Sequence, residues 1–192
     1  MIKKFLLGFI IIFLCVFSFV NIANAASKNT SAKKEVYPHW QKNPINVYIP
    51  QDQYSGSMRS AFAKWQGASG GKLNFKYVAK EKADIVVTFT DKNEGLESTL
   101  GGYSTTIDGT TIKKATITIA SKSKEAKKHS PSYIYTTMLH EVGHVIGMSH
   151  NPSKPSSIMY SPISEKQNIT KVDLIKLYKV NGWNLAKRNF NN

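Results

Sequence analysis

The stretch from His140 to His150 reads HEVGHVIGMSH and holds three of the chain's five histidines. On a helix, His140 and His144 stand one turn apart on the same side. Both imidazoles can then reach one ion at about 2.0–2.1 Å. Glu141 is rotated by about 100° from His140, so it flanks such an ion instead of ligating it. His150 does not fit a straight helix, which would carry it about 15 Å along the axis from His140 and aim it at another side. It joins the pair only if the helix stops and the chain doubles back. Gly147 stands where that stop is needed, and glycine takes a positive φ at a helix end without a Cβ clash. Gly143, inside the helix, is small enough to permit close packing.

Three neutral histidines leave the fourth position of a tetrahedral zinc open. Structural zinc sites are usually closed and cysteine-rich, so an open one points to catalysis. Zinc polarises a carbonyl and brings the pKa of its water toward about 7. Glu141 is the candidate general base, taking a proton from water and passing it to a leaving amine.

The start of the chain reads differently. Lys3 and Lys4 precede an almost unbroken apolar run from Phe5 to Val20, followed by Ala23-Asn24-Ala25. This is the pattern of a secretory signal peptide over residues 1–26, cut after Ala25 or Ala26. An uncleaved anchor is the alternative, but the run is short for a span of roughly 20 residues. Cys15, the only cysteine, lies in that run, and Leu14 before it is not the small residue of a lipidation site. A cleaved chain would carry neither thiol nor disulfide, so core packing and bound metal must hold it. Losing Lys3 and Lys4 lowers the formal net charge of +14 by two. Such a basic secreted chain is expected to adhere to anionic cell-wall or membrane surfaces. No aromatics are set among the Lys-rich runs at 28–34 and 122–128, so specific nucleic-acid recognition is not expected.

Residues 27–38 form a basic leader that docks near its end, and 39–192 make one domain. Ile45 to Ile49 alternates as a strand. Met58, Ala61, Phe62 and Trp65 make one apolar stripe on a helix over Tyr54 to Trp65. Leu73 to Val78 alternates again. Ile85 to Phe89 is a continuous β-branched run, the pattern of a buried central strand. After a loop at 91–102 come two Thr-rich strands, Tyr103 to Ile107 and Ile112 to Ala120, separated by the turn signal Asp108-Gly109. Two helices follow. Ser130 and Pro131 supply N-cap and first position for one. Thr170 and Asp173 form a capping box for the other, whose broad apolar face is expected to include Val172, Ile175 and Lys176, with Leu174, Leu177 and Tyr178.

HEVGHVIGMSH is similar to the long zinc motif of the metzincin metallopeptidases. Ser157-Ile158-Met159-Tyr160, just downstream, resembles their methionine turn, with Met159 beneath the metal. Tyr160-Ser161-Pro162 resembles the wall of the main substrate pocket in matrixins, a metzincin branch. Trp40 to Pro50, Phe62 to Trp65, Ala83 to Ile85 and Asp173 to Tyr178 also resemble the matrixin catalytic domain. The resemblance implies an α/β (α+β) two-lobed domain, with a mixed, twisted five-stranded sheet and three helices. It implies one catalytic zinc, on His140, His144 and His150, and hydrolysis of internal bonds in a protein or peptide substrate. That substrate would lie along an edge strand, Gly101 to Ile107, with Gly101, Gly102, Tyr103, Tyr160 and Pro162 as binding residues.

The chain departs from vertebrate matrixins. Only His39 and His129 remain as further histidines, and both read as packing or solvated residues. Asp91, Glu94 and Glu97 are too sparse to support a calcium site. Residues 27–38 are few and hold no cysteine, so a zinc-blocking prodomain is not expected. A secreted monomer is expected. Two rival functions stay open: a basic surface-binding protein with a vestigial zinc site, and a zinc hydrolase of cell-wall peptides. The presence of Glu141 with all three histidines argues against the first.

Overall fold

A computed structural model describes residues 37–185. The signal peptide assigned to 1–26 and leader residues 27–36 lie outside these. The described chain runs β1 (Ile45–Tyr48), α1 (Ser55–Ala68), β2 (Phe75–Tyr77), β3 (Ile85–Phe89), β4 (Gly101–Asp108), β5 (Thr111–Ile119), α2 (Pro131–Val145) and α3 (Lys171–Val180). The five strands form one mixed sheet in the order β2-β1-β3-β5-β4. Three neighbouring pairs are parallel, and only β4 runs antiparallel, against β5. This is the expected α/β architecture of five strands and three helices.

The expected stripe on α1 is its buried face: Met58, Ala61, Phe62 and Trp65 are all fully enclosed. The helix continues past Gly67 and ends only where Gly70 and Gly71 turn to positive φ (68° and 75°). The β2 strand is shorter than the alternation suggested. Leu73 is buried without belonging to it. The β4–β5 hairpin closes one residue later than the Asp108-Gly109 signal, since Asp108 still pairs with Thr111. Gly109 takes the positive φ of 60° that the turn demands.

Two expectations need correction. β3 is central, between β1 and β5, but only one of its faces is covered. Ile85 and Val87 are buried, Val86 is half-buried and Thr88 is exposed. The apolar run therefore does not mark a strand enclosed on both sides. In α3, Val172 is 43% and Ile175 39% exposed, while Asp173, Leu177, Tyr178 and Val180 are buried. Apolar residues lie around most of this helix and cannot all face inward. The carboxylate of Asp173 decides the rotation. It accepts from Thr170 N and Thr170 Oγ1, both at 2.7 Å, and from Ser157 Oγ, and a buried charge must keep such partners.

α2 lies between α1 and the β4–β5 side of the sheet. Ser130 Oγ caps it by accepting from Tyr133 N at 3.1 Å, with Pro131 in the first turn. Two tryptophans then hold it. Trp65 Nε1 donates to Leu139 O at 2.8 Å, and Trp40 Nε1 donates to Val145 O at 2.7 Å. The second bond satisfies one of the carbonyls that a helix C-terminus leaves without an internal partner. Trp40 is brought there by the leader's end, where His39 N donates to Thr110 O and Ile112 N donates to His39 O.

Burial separates the two corrected positions from the core. Phe62→Ala should cost about 3–5 kcal/mol of unfolding free energy. Val172→Lys and Ile175→Lys should each stay within about 0.5 kcal/mol of the parent. Urea denaturation of the three variants measures both.

Candidate metal centre

α2 ends at Val145, and Gly147 takes a φ of +96°. A Cβ there would collide with Pro38 O and stand 3.0 Å from Val180 Cγ1. Glycine is therefore required both for the turn and for the space. The reversal brings His150 back over the helix. His140 Nε2 stands 3.0 Å from His144 Nε2 and 3.2 Å from His150 Nε2.

On the two helical histidines the other ring nitrogen is committed. His140 Nδ1 donates to Ile158 O at 2.5 Å, and His144 Nδ1 donates to Met148 O at 2.9 Å. A carbonyl can only accept, so each Nδ1 carries the proton and each neutral ring turns the lone pair of Nε2 inward. Burial pushes the pKa of His140 down to about 4, with the charge of His150 adding to it, although the bond to Ile158 opposes the shift. Burial also takes His144 down to about 3, with His140 as the next contributor. Both rings stay neutral near pH 7. Two lone pairs facing each other at 3.0 Å repel unless a cation lies between them. Tetrahedral ligand atoms bonded at about 2.0–2.2 Å stand roughly 3.3–3.6 Å apart, close to the spacing seen. The three histidines fit a zinc ion.

The supports are as ordered as the ligands. The ring of Tyr103 stacks on His144, centroids 4.2 Å apart and 6° from parallel. Met159 is fully buried, and a Cβ on Gly143 would run into its Sδ and stand 3.1 Å from Trp65 Cζ2. Ser157 Oγ donates to Asp173 and accepts from Met159 N at 3.0 Å. A continuous path therefore runs from the buried carboxylate of α3, through the Ser157–Met159 turn, to the carbonyl that orients His140. Lys176 Nζ reaches Ser149 O at 3.1 Å and His150 O at 3.3 Å, tying the third histidine's segment to the same helix.

Glu141 is 1% exposed. Its Oε1 accepts from Ser98 Oγ at 3.4 Å, and its Oε2 is buried with no hydrogen-bond partner among the described residues. Burial raises its pKa to about 8, the charge of Glu97 adds to the rise, and Ser98 opposes it. A divalent cation beside it would act in the lowering direction. Gly101 packs directly on this carboxylate, and a Cβ there would strike Glu141 Oε1 and Thr137 Cγ2. Gly102 lies under Leu96, whose Cδ2 would be 3.2 Å from an added Cβ. Tyr160 and Pro162 follow Met159, and their carbonyls accept from Gln167 Nε2 at 3.2 and 2.9 Å.

Sequence reasoning missed several members. Asp173 reads as a helix cap and also anchors the turn at Met159 through Ser157. Ser98 carries no motif at all. Glu97, weighed only as a calcium residue, puts Oε1 3.7 Å from His150 Nε2. Among the described residues, groups of three or more metal-capable side chains occur only here: His140, His144 and His150, and Glu97, Glu141 and His144. His129 instead stacks on Tyr133 with centroids 4.1 Å apart, and His39 Nδ1 donates to Tyr37 O at 2.9 Å.

Gly143→Ala should cost about 1–3 kcal/mol through overpacking against Met159 and Trp65, read by denaturation. His150→Ala should keep the far-ultraviolet helix signal. Its zinc affinity, measured by chelator competition, should fall by more than the 10–100-fold typical of losing an outer partner.

No curated protein matches the chain in sequence. The family model described as Matrixin matches residues 32–180, which include all of the site and every strand and helix named above. The chain belongs to the matrixin family.

Proposed function

We propose that the protein is a secreted zinc endopeptidase that hydrolyses internal peptide bonds, with Glu141 as its general base. The family is one of zinc metallopeptidases, so proteins or peptides are its substrate class. The observation that carries the proposal is the pairing of three convergent imidazole nitrogens with a buried carboxylate oxygen that has no partner.

Zinc held by His140, His144 and His150 would supply Lewis acidity, polarising a carbonyl and acidifying water. The chain's own residues do the rest. Glu141 takes a proton from the attacking water as its oxygen bonds to the scissile carbon. It returns that proton to the amine nitrogen as the C–N bond breaks. Ser98 and Gly101 hold the carboxylate in place, Ser98 by a hydrogen bond and Gly101 by leaving room. β4 is the outer strand and pairs with β5 on one side only, so an extended peptide can add to its other side by β-augmentation. Gly101, Gly102 and Tyr103 would border the substrate on that strand, and Tyr160 and Pro162 on the opposite wall. The basic charge supports adhesion to anionic surfaces outside the cell.

Casein hydrolysis that a chelator abolishes and added zinc restores is the direct test. Absence of hydrolysis by a zinc-loaded protein would favour the surface-binding reading. Glu141→Gln keeps the shape but cannot take a proton. Its kcat should fall by about 10²–10⁴-fold, with zinc content and melting temperature near the parent values. Loss of zinc together with activity would make Glu141 a ligand or support instead.

A further inference from the structure

Glu97 sits in the loop before β4, outside every motif in the chain, yet its carboxylate reaches the histidines. Its Oε1 is 3.7 Å from His150 Nε2. One ligand atom from each of Glu97, Glu141 and His144 lies within 4.8 Å of the others. The spacing to His150 is close to the roughly 3.3–3.6 Å between neighbouring ligand atoms of a tetrahedral zinc. Two carboxylates and the inward lone pairs of His140 and His144, beside the ring of His150, crowd one small volume. A buried carboxylate oxygen in that volume, Glu141 Oε2, has no partner. Such a set repels itself unless a cation sits among its members.

We propose that Glu97 is a fourth, displaceable protein ligand of the metal held by His140, His144 and His150. It fills the open position in the resting enzyme and gives it up when a peptide enters. The proposal rests on the zinc-site reading above.

The local structure explains why the ligand is displaceable. The backbone on either side of Glu97 is pinned. Leu96 packs on Gly102, Ser98 N donates to Gly101 O at 2.9 Å, and Gly101 N donates to Ser98 Oγ at 2.8 Å. The side chain itself is 41% exposed, and a glutamate has three side-chain torsions to rotate. Leaving the metal therefore needs only a swing of the carboxylate into solvent, with the loop and β4 unmoved. The two helical histidines, by contrast, are held by hydrogen bonds to Ile158 O and Met148 O. The carboxylate is poised to shield the metal from stray anions without blocking a substrate that binds along β4.

The test uses the full chain and two variants, Glu97→Gln and Glu97→Asp. Zinc affinity is measured by competition with a chromogenic chelator, and cobalt(II)-substituted protein is titrated with azide while its visible bands are followed. Loss of the ligand should weaken zinc binding by at least about 10-fold and change the cobalt bands of Glu97→Gln. Azide should then perturb that variant at concentrations that leave the parent unchanged. Glu97→Asp keeps the charge but is one methylene short, so it should behave as Glu97→Gln does. Parent-like affinity, bands and azide response in Glu97→Gln would overturn the proposal while leaving the three-histidine site intact. Parent-like behaviour of Glu97→Asp alone would reduce Glu97 to a nearby charge, which also overturns it. A parent protein that takes up neither zinc nor cobalt would overturn both this proposal and the zinc-peptidase reading.

Discussion

Two backbone carbonyls set the chemistry of this protein. Ile158 O and Met148 O accept the Nδ1 protons of His140 and His144, and this alone turns both Nε2 lone pairs toward a common point. Neither carbonyl belongs to the helix that carries the histidines. Each lies in the chain beyond it, one in the reversal after Gly147 and one in the turn at Met159. The metal centre thus depends on the path of residues 146–160 as much as on the helix. Asp173 holds that path from below, through Ser157, with a carboxylate buried to 1% exposure. An ionised group so deep is stable only while its partners stay in place, which couples α3 to the orientation of His140.

The sheet serves the site in another way. Three parallel strand pairs with α1 and α2 on one face make a rigid platform, and β4, the single antiparallel strand, carries residues to its edge. Gly101 opens that strand against Glu141, and Tyr103 stacks on His144 from the same strand. Room for the Glu141 carboxylate, a support for His144 and an outer edge are therefore supplied within three residues. Trp40 and Trp65 fix α2 against this platform by donating to its carbonyls. Their indoles combine a large buried surface with one directed hydrogen bond.

On the opposite face of the sheet Thr88 is exposed. Apolar content alone does not show how many faces of a strand are covered. The same limit applies to α3, where Val172 and Ile175 look like core residues and face solvent. Hydrophobic periodicity counts apolar side chains but not the polar anchors that compete to set a helix's rotation. Asp173 has three hydrogen-bond partners to satisfy, and Val172 has only transfer free energy to gain.

The three candidate ligands, the carboxylate beside them, the position of the helix stop and the element order are legible in the sequence because each follows from local geometry: one turn between His140 and His144, a positive φ at Gly147, alternation in β1, a stripe on α1. These properties depend on neighbours within a few positions along the chain. The placement of Glu97 and Ser98 beside the histidines and Glu141, the anchoring of the turn at Met159 by Asp173 and the exposure of Val172 depend instead on residues many positions apart. Glu97 precedes His150 by 53 positions (150 − 97) in the chain, with no periodic or motif relation between them. Only the pairing of β4 with β5, and the packing of α2 against both, decides that they meet.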